Sequence, residues 1–194
     1  RSPSRGLGDV YKRQRLVGLD AQQNLCFVLA ENPSPEVTGD AEIIEISEAV
    51  DWFQQSCDIL KQAGGYALHI DYGYTSGSGD TLQAQRAHAM ENIFANVGKA
   101  DLTAHVNFAE LTGRAESLAH PVADLGHFLT ILGLPTHAMR TRAKANPQQQ
   151  AAIDNAVARL LSPNQMGSLH KVLILSTDEL PTPAGVAEKN LKAA

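Results

Sequence analysis

The sequence is poor in the residues that mark several large classes of protein. Its 194 residues include only two cysteines, Cys26 and Cys57, and neither belongs to a CxxC pair or has a histidine at metal-ligand spacing. A disulfide-rich secreted scaffold and a zinc-finger domain both need more cysteines than this. The two cysteines therefore predict free, buried thiols in a reducing compartment.

Long apolar runs and an excess of basic charge are also lacking. No apolar run approaches the ~20 residues that a membrane-spanning helix needs, so we predict no membrane span. With 16 basic and 21 acidic residues the formal charge is −5, and the pI is about 5.8. A nucleic-acid partner normally requires clustered Lys and Arg, so we predict none. The hydrophobic fraction of 43% is typical of one globular domain.

The first 14 residues differ from the rest of the chain. The run RSPSRGLGDVYKRQ has no apolar periodicity, no helix-capping signal and no apolar core of a signal peptide. It resembles translated sequencing-adapter sequence, and we interpret residues 1–14 as a non-native segment. Residues 15–184 then form the folded part and residues 185–194 a tail. On this interpretation the chain is a fragment that begins inside a longer protein.

Apolar periodicity and turn residues predict alternating strands and helices. Two apolar segments within Arg15–Ala30 flank a polar turn and predict a β-hairpin. The helix predicted after a cap at Ser47 has a core face at helical spacing, formed by Val50, Phe53, Cys57 and Leu60. Further helices are predicted over Thr81–Ala95, Val106–Ser117, Leu125–Leu132 and Gln148–Leu161, and further strands over Ile43–Ile46, Leu118–Val122 and Leu169–Leu175.

The most informative run is GGYALHIDYGY, which begins at Gly64 and ends at Tyr74. Its apolar residues, bounded by glycines, predict a buried strand of a parallel sheet. A helix, a glycine turn and a buried strand make one half of a βαβ unit, so the predicted fold class is α/β. Ligands bind beyond the carboxyl ends of such strands, so we predict that Asp71 faces a cleft, unless it caps a helix or loop. Tyr72 either stacks on a ligand or covers the sheet edge.

A second polar group follows in the segment ADLTAHVNF. Asp101, Thr103 and His105 alternate with apolar residues, so in an extended segment they would share one face. A concave polar patch and a half-buried edge strand both produce this pattern. Asn107 either continues the polar face or caps the helix that begins at Phe108.

Other polar residues have simpler interpretations. Asp80 and Thr81 resemble the N-cap of the next predicted helix. His88, on that helix, is either a ligand-binding residue or a surface or core histidine, whereas His69, inside a strand, is predicted to be structural. No set of His, Cys, Asp and Glu has metal-ligand spacing, and the sequence contains neither a nucleophile elbow nor a P-loop.

Six features occur in a fixed order along residues 15–184: ALHIDYGY, GDTLQA, a lone His88, ADLTAHVNF, FLTILGL and MGSLHKVL. In this order they resemble the carboxyl-terminal half of the MidA family of S-adenosylmethionine-dependent class I methyltransferases. That family is related to a mitochondrial complex I assembly factor that methylates an arginine. The resemblance implies a partial Rossmann-like α/β fold, the C-terminal half of a seven-stranded sheet. ALHIDYG would be strand five, LAHPV strand six and HKVLILS strand seven.

The resemblance also implies an activity and its partners. The cofactor would be S-adenosylmethionine and the substrate a protein arginine, in a subunit of a complex I type assembly. The location would be the bacterial cytoplasm, or mitochondria in eukaryotic relatives. The family's glycine-rich cofactor loop has no counterpart in this sequence, so we expect it upstream and expect this fragment alone to be inactive. The chain also departs from the family at Asn107, usually Asp, and at His170, usually an aromatic residue.

The family match implies roles for individual residues. Asp71 and Asp101 are predicted catalytic residues that hold the guanidinium or accept its proton, with His105 as the alternate base. The predicted substrate-binding residues are Tyr72, Gly73, Thr81, His88, Thr103 and Asn107. The oligomeric state is left open, as is a rival function, a non-catalytic assembly module that binds a client subunit. A hydrolase ranks last because the sequence lacks a convincing nucleophile.

Overall fold

The computed structural model describes residues 13–33, 49–76 and 80–186. The chain divides into two compact units, Arg1–Glu45 with Ser78–Thr103 as unit 1, and Ile46–Gly77 with Ala104–Ala194 as unit 2. The strand predicted at 43–46, the cap at Ser47 and most of the predicted non-native segment and tail lie outside the described residues.

Nine strands, six α-helices and one 3₁₀ turn are formed by the described residues. In chain order they are β1 (Arg13–Leu19), β2 (Leu25–Pro33), α1 (Ala49–Ala63), β3 (Tyr66–Tyr74), β4 (Gln83–Arg86), β5 (Ala89–Glu91), β6 (Asp101–Thr103), β7 (Val106–Asn107), α2 (Phe108–Ala115), the 3₁₀ turn (Glu116–Leu118), β8 (Ala123–Asp124), α3 (Leu125–Ile131), α4 (Leu134–Arg142), α5 (Pro147–Leu161), α6 (Met166–Leu169) and β9 (His170–Ser176). None of these helices is long and apolar enough to cross a membrane.

Unit 1 begins with the predicted hairpin, which is confirmed. β1 and β2 pair antiparallel from Leu19↔Leu25 outward, and β1 already begins at Arg13, inside the segment interpreted as non-native. The turn is held by Asp20, whose carboxylate accepts hydrogen bonds from the backbone N–H groups of Asn24 and Gln22, each at 2.8 Å. The bond from the Asn24 backbone is the main reason why the pKa of Asp20 lies below its usual value.

The helix predicted over Thr81–Ala95 is wrong, because this segment folds as a second hairpin. β4 and β5 pair antiparallel, and β6 completes a three-stranded sheet on the other side of β4. The connecting residues Ala87 and His88 have φ values of 50° and 62°. Two successive left-handed residues favour a two-residue hairpin turn, which no glycine marks in this sequence. The predicted N-cap is also wrong, since the Asp80 carboxylate pairs with Arg15 at 2.6 Å.

Unit 2 contains a four-stranded sheet in the order β7-β3-β9-β8. β3 pairs antiparallel with β9 from Tyr66↔Ser176 to Tyr72↔His170. It is parallel only to β7, through Gly73↔Val106 and Tyr74↔Asn107. The prediction that β3 belongs to a parallel sheet is therefore wrong for most of its length.

The core of unit 2 lies on both faces of β9. Successive strand residues point to opposite faces, and Val172, Leu173 and Leu175 are all fully buried. On one face Leu173 and Leu175 pack in a cluster with buried residues of α1 and α2, including Phe53, Cys57, Phe108 and Leu111. On the other face Val172 and Ile174 pack against Leu125 and Phe128 of α3. The predicted core face of α1 is confirmed.

β3 is less buried than predicted. Leu68 and Ile70 are 53% and 43% exposed, whereas Ala67, on the opposite face, packs against the cluster formed by α1 and α2. The cluster on the Leu68 face includes Val172 and Ile174 of β9 but neither Leu68 nor Ile70. Among the described residues, β3 is therefore covered well on only one face.

The strand predicted over Leu118–Val122 is displaced. Ala119 forms a single bridge to Leu175, and the strand that pairs with β9 is β8, at Ala123–Asp124. Pro121 explains the shift, because proline has no N–H to donate to a strand ladder.

Two of the remaining helices follow their sequence signals closely. α3 and α5 are confirmed, and α5 begins with a capping box in which Asn146 and Gln149 bond each other's backbone N–H. α4 was not predicted, because glycine and proline residues such as Gly133 and Pro135 usually mark the end of a helix. Gly133, with φ 89°, does end α3, but Pro135 lies in the first turn of α4, where its missing N–H costs nothing.

Candidate functional site

The carboxyl end of β3 brings several predicted site residues to one edge of the sheet. β3 and β7 run parallel there, and the carboxyl ends of parallel strands are the usual position of ligand sites in α/β proteins. The ring of Tyr72 near the end of β3 lies 6.2 Å from the ring of His105, which precedes β7, and the two planes differ by only 14°. The structure therefore brings Tyr72 and His105, two of the predicted site residues, close together.

A third ring, that of His170, completes this group. Tyr72 and His170 are direct cross-strand neighbours, and their ring centroids are 3.9 Å apart. His170 is only 8% exposed, and its Nδ1 has no hydrogen-bond partner among the described residues. His170 departs from the family pattern and is not among the predicted site residues. Its antiparallel register opposite Tyr72 was not visible in the sequence.

Asp71 presents an exposed carboxylate beside Tyr72. One of its oxygens accepts a hydrogen bond from the Tyr72 backbone N–H at 2.7 Å. Its cross-strand neighbour Lys171 instead donates to Asp124 at 2.6 Å. Within the described ranges no cationic side chain forms an ion pair with Asp71, so this carboxylate can receive a cationic group from outside. Asp71 and Tyr72 are consecutive in a strand, so their side chains leave it on opposite faces.

Two residues predicted to bind substrate have structural contacts instead. A Cβ on Gly73 would overlap the Val106 carbonyl oxygen and would lie 2.5 Å from the Phe108 ring. Gly73 therefore lets β3 approach β7 and α2 closely. The Asn107 side chain accepts a hydrogen bond from the Glu110 backbone N–H at 3.3 Å, so the capping interpretation of Asn107 is confirmed.

The other predicted site residues belong to unit 1. Asp101 and Thr103 are exposed residues of β6, opposite Gln85 and Gln83 of β4. Strand β6 ends at Thr103 and His105 belongs to unit 2, so the three residues do not lie on one strand.

Thr81 and His88 also occupy positions that differ from the predicted helix. Thr81 precedes β4 and is partly buried, while His88 is exposed in the β4–β5 turn. Both residues belong to unit 1, whereas Asp71, Tyr72, His105 and His170 belong to unit 2.

Two titratable side chains in the core of unit 2 have perturbed pKa values. Burial lowers the pKa of His69, whose ring lies against Phe53 at 5.1 Å and Trp52 at 6.2 Å, in agreement with its predicted structural role. Burial raises the pKa of the Cys57 thiol and so keeps it protonated and unreactive. Both cysteines are free, and no group of three metal-ligating side chains occurs in the part of the chain that the structure describes.

The sequence matches one protein family over most of its length. Residues 8–123 match a family described as "Putative S-adenosyl-L-methionine-dependent methyltransferase". The mitochondrial protein arginine methyltransferase NDUFAF7 of Xenopus laevis is 29% identical over 175 residues, which are 82% of this chain and 39% of that protein. The Drosophila melanogaster homologue is 31% identical over 121 residues, 60% of this chain and 28% of that protein. The chain thus spans about two fifths or less of the length of these relatives.

Solved structures resemble the fold. An uncharacterized Burkholderia thailandensis protein superposes with a TM-score of 0.70 at 24% identity, over 91% of this chain and 50% of the other. A second structure from that organism, of a likely methyl transferase bound to S-adenosyl-homocysteine, superposes with a TM-score of 0.69 at 24% identity, over 91% of this chain and 48% of the other. These likenesses confirm the predicted partial α/β methyltransferase fold. The chain belongs to the S-adenosyl-L-methionine-dependent methyltransferase family, of the MidA type that its motifs predicted.

Proposed function

We propose that this chain supplies the substrate side of an S-adenosylmethionine-dependent protein arginine methyltransferase. The observation that carries the proposal is the likeness, over 82% of the chain, to a relative named as a protein arginine methyltransferase. The exposed carboxylate of Asp71, free of ion pairs within the described residues, supports it, because a guanidinium needs a carboxylate partner.

The bound cofactor would supply a methyl group on a positively charged sulfur. As this methyl bonds to a guanidinium nitrogen, its bond to sulfur breaks and the nitrogen loses a proton. Such a displacement is accelerated mainly by positioning and electrostatics. We assign the carboxylate of Asp71 to hold the planar guanidinium and accept the proton, with His105 as the alternate base. Tyr72 orients the acceptor.

The cofactor site is proposed to lie in a part of the longer protein that this sequence does not contain. Dinucleotide and nucleoside cofactors are held by a strand followed by a glycine-rich turn, with an acidic residue about 20 positions later. The described residues of β3, β7 and β9 include no such turn. We therefore propose that this chain alone transfers no methyl group.

The acceptor protein is proposed to be a subunit of a complex I type assembly. The support is the resemblance of the motif order to the family that includes a complex I assembly factor. The relatives from Xenopus and Drosophila are mitochondrial by name. We propose a cytoplasmic location for a bacterial protein that carries this segment.

Charge-removing substitutions test the assignment in the longer protein. Asp71→Asn should lower the rate of methyl transfer from labelled S-adenosylmethionine by about 100-fold, while cofactor binding stays unchanged. Asp58→Asn is the matched control, because Asp58 is an exposed carboxylate on α1. Undiminished transfer in Asp71→Asn would reject the proposed role of Asp71.

A non-catalytic assembly module is the second candidate. It is favoured by the apolar face of β3, where Leu68 and Ile70 remain about half exposed and are available to a client protein. This candidate predicts that the longer protein holds its client without binding S-adenosylmethionine, which equilibrium dialysis with the labelled cofactor measures directly.

A further inference from the structure

Three rings from three separate segments meet near the end of β3. The ring of Tyr72 lies 3.9 Å from that of His170 at the start of β9, and 6.2 Å from that of His105. Aromatic pairs in proteins usually have centroids about 4.5–7 Å apart. The Tyr72–His170 pair is closer than this range, so the imidazole restricts the orientation of the phenol ring.

His170 and Tyr72 differ sharply in their exposure. His170 is 8% exposed and anchored in the antiparallel register that runs through seven residue pairs of β3 and β9. Tyr72 is 43% exposed, so much of its ring remains accessible to a ligand. The buried His170 ring on β9 therefore supports the exposed Tyr72 ring on β3.

Packing alone does not account for a histidine at this position. Its Nδ1 is buried and has no hydrogen-bond partner among the described residues. A buried polar atom without a partner destabilises the folded state, and a phenyl ring of similar shape would avoid that cost. Tyr72 contacts the ring of His170 as a whole. A substitution that keeps a ring but removes the unpaired Nδ1 can therefore distinguish the effect of the ring contact from that of the nitrogen.

We infer that His170 is a positioning residue that holds the Tyr72 ring nearly parallel to His105, so that these two rings bind a planar cationic acceptor. Guanidinium groups stack on aromatic faces, whereas an ammonium group has no plane to stack. The identity of the planar group rests on the proposed function, but the positioning of Tyr72 rests on the ring geometry alone.

The positioning is tested by NMR on the present chain with ¹³C-labelled tyrosine and histidine rings. His170→Leu keeps the volume but removes the ring, and it should shift the Tyr72 resonances and weaken the NOE between Tyr72 and His105. His170→Phe keeps a ring, so the Tyr72 resonances and the NOE between Tyr72 and His105 should be retained. Its resistance to unfolding by urea should be unchanged or higher. His137→Ala on the exposed face of α4 is the control. Tyr72 signals and an NOE that survive in His170→Leu would overturn the inference.

The acceptor class is tested by titration with Nα-acetyl-arginine methylamide and its lysine equivalent. The arginine compound should shift the Tyr72 and His105 resonances, and His170→Leu should weaken its binding by about three- to tenfold. Arginine binding that is equal in His170→Leu and the unsubstituted chain would overturn the positioning role. Equal binding of the lysine compound would reject the arginine acceptor, while the NOE measurement would still decide the role of His170.

Discussion

His69 combines a structural position with a stability cost that depends on pH. Its ring is half-buried on β3 between Trp52 and Phe53, and its Nε2 has no hydrogen-bond partner among the described residues. The protonated form would lose hydration in this apolar setting, which is why the pKa is lowered from 6.5.

His69 should therefore destabilise the fold in mild acid. Below pH 6.5 the unfolded chain binds a proton at this residue while the folded chain does not, so this contribution to stability falls as the pH drops from 6.5 toward the lowered pKa. His69→Phe should remove that part of the pH dependence in urea unfolding measured between pH 7.5 and 5. His137→Ala, an exposed histidine, should leave it intact. An identical pH dependence in His69→Phe and the unsubstituted chain would contradict this explanation.

The roles of single residues were predictable where neighbours in sequence decide them. Asn107 as a helix cap depends on the residues that immediately follow it. The roles of Gly73 and His170 depend instead on partners that are distant in sequence. Gly73 lies against Val106 and Phe108, and His170 lies against Tyr72. Their contacts required the sheet register, which local patterns do not contain.

At the scale of elements, the junction of β3, β7 and α2 depends on a glycine. A Cβ at Gly73 would overlap the Val106 backbone oxygen, which cannot move aside as a flexible side chain can. Gly73→Ala should therefore destabilise the chain by about 1–3 kcal/mol.

The control for this prediction lies in the same region. Gly113 is on α2, and a Cβ there would meet nothing within 4 Å, so Gly113→Ala should stabilise by about 0.5–1 kcal/mol through helix propensity. Urea unfolding of both variants measures the contrast. Equal effects of the two substitutions would show that β3 and β7 are not in the close contact described.

Helices with a clear apolar periodicity or clear end signals were predicted well, whereas the β4–β5 hairpin and α4 were not. α1, α3 and α5 carry local signals that agree with their packing. The β4–β5 hairpin was predicted as a helix because its left-handed turn residues, Ala87 and His88, are not glycines. α4 was missed because a proline suits both a loop and the first turn of a helix.

At the scale of the whole molecule, the two long strands of unit 2 differ in burial. β9 is covered on both faces, whereas β3 exposes Leu68 and Ile70. Both strands are apolar runs in the sequence and both are interior strands of the sheet, so their different burial depends on which elements pack on each face. The motif order predicted the fold class, but it did not predict which strand would be covered on both faces.

Two leucine substitutions test this difference in burial. Leu173→Ala on β9 should cost about 2–5 kcal/mol, because it removes a fully buried side chain from the cluster formed with α1 and α2. Leu68 on β3 is the cross-strand neighbour of Ile174 and is half exposed. Leu68→Ala should therefore lower the free energy of unfolding by less than about 1 kcal/mol. Chemical unfolding of both variants gives the two values. If Leu68→Ala lowered the free energy of unfolding as much as Leu173→Ala does, the exposed face of β3 would have to be covered in solution.

The most direct test of the proposed activity is to identify the methylated residue. The longer protein that carries this segment would be incubated with methyl-labelled S-adenosylmethionine and client protein, and the label located by mass spectrometry. The account predicts methyl groups on an arginine guanidinium, lost when Asp71 is replaced by Asn. Label on another residue type, or no transfer by a protein that binds the cofactor, would contradict it.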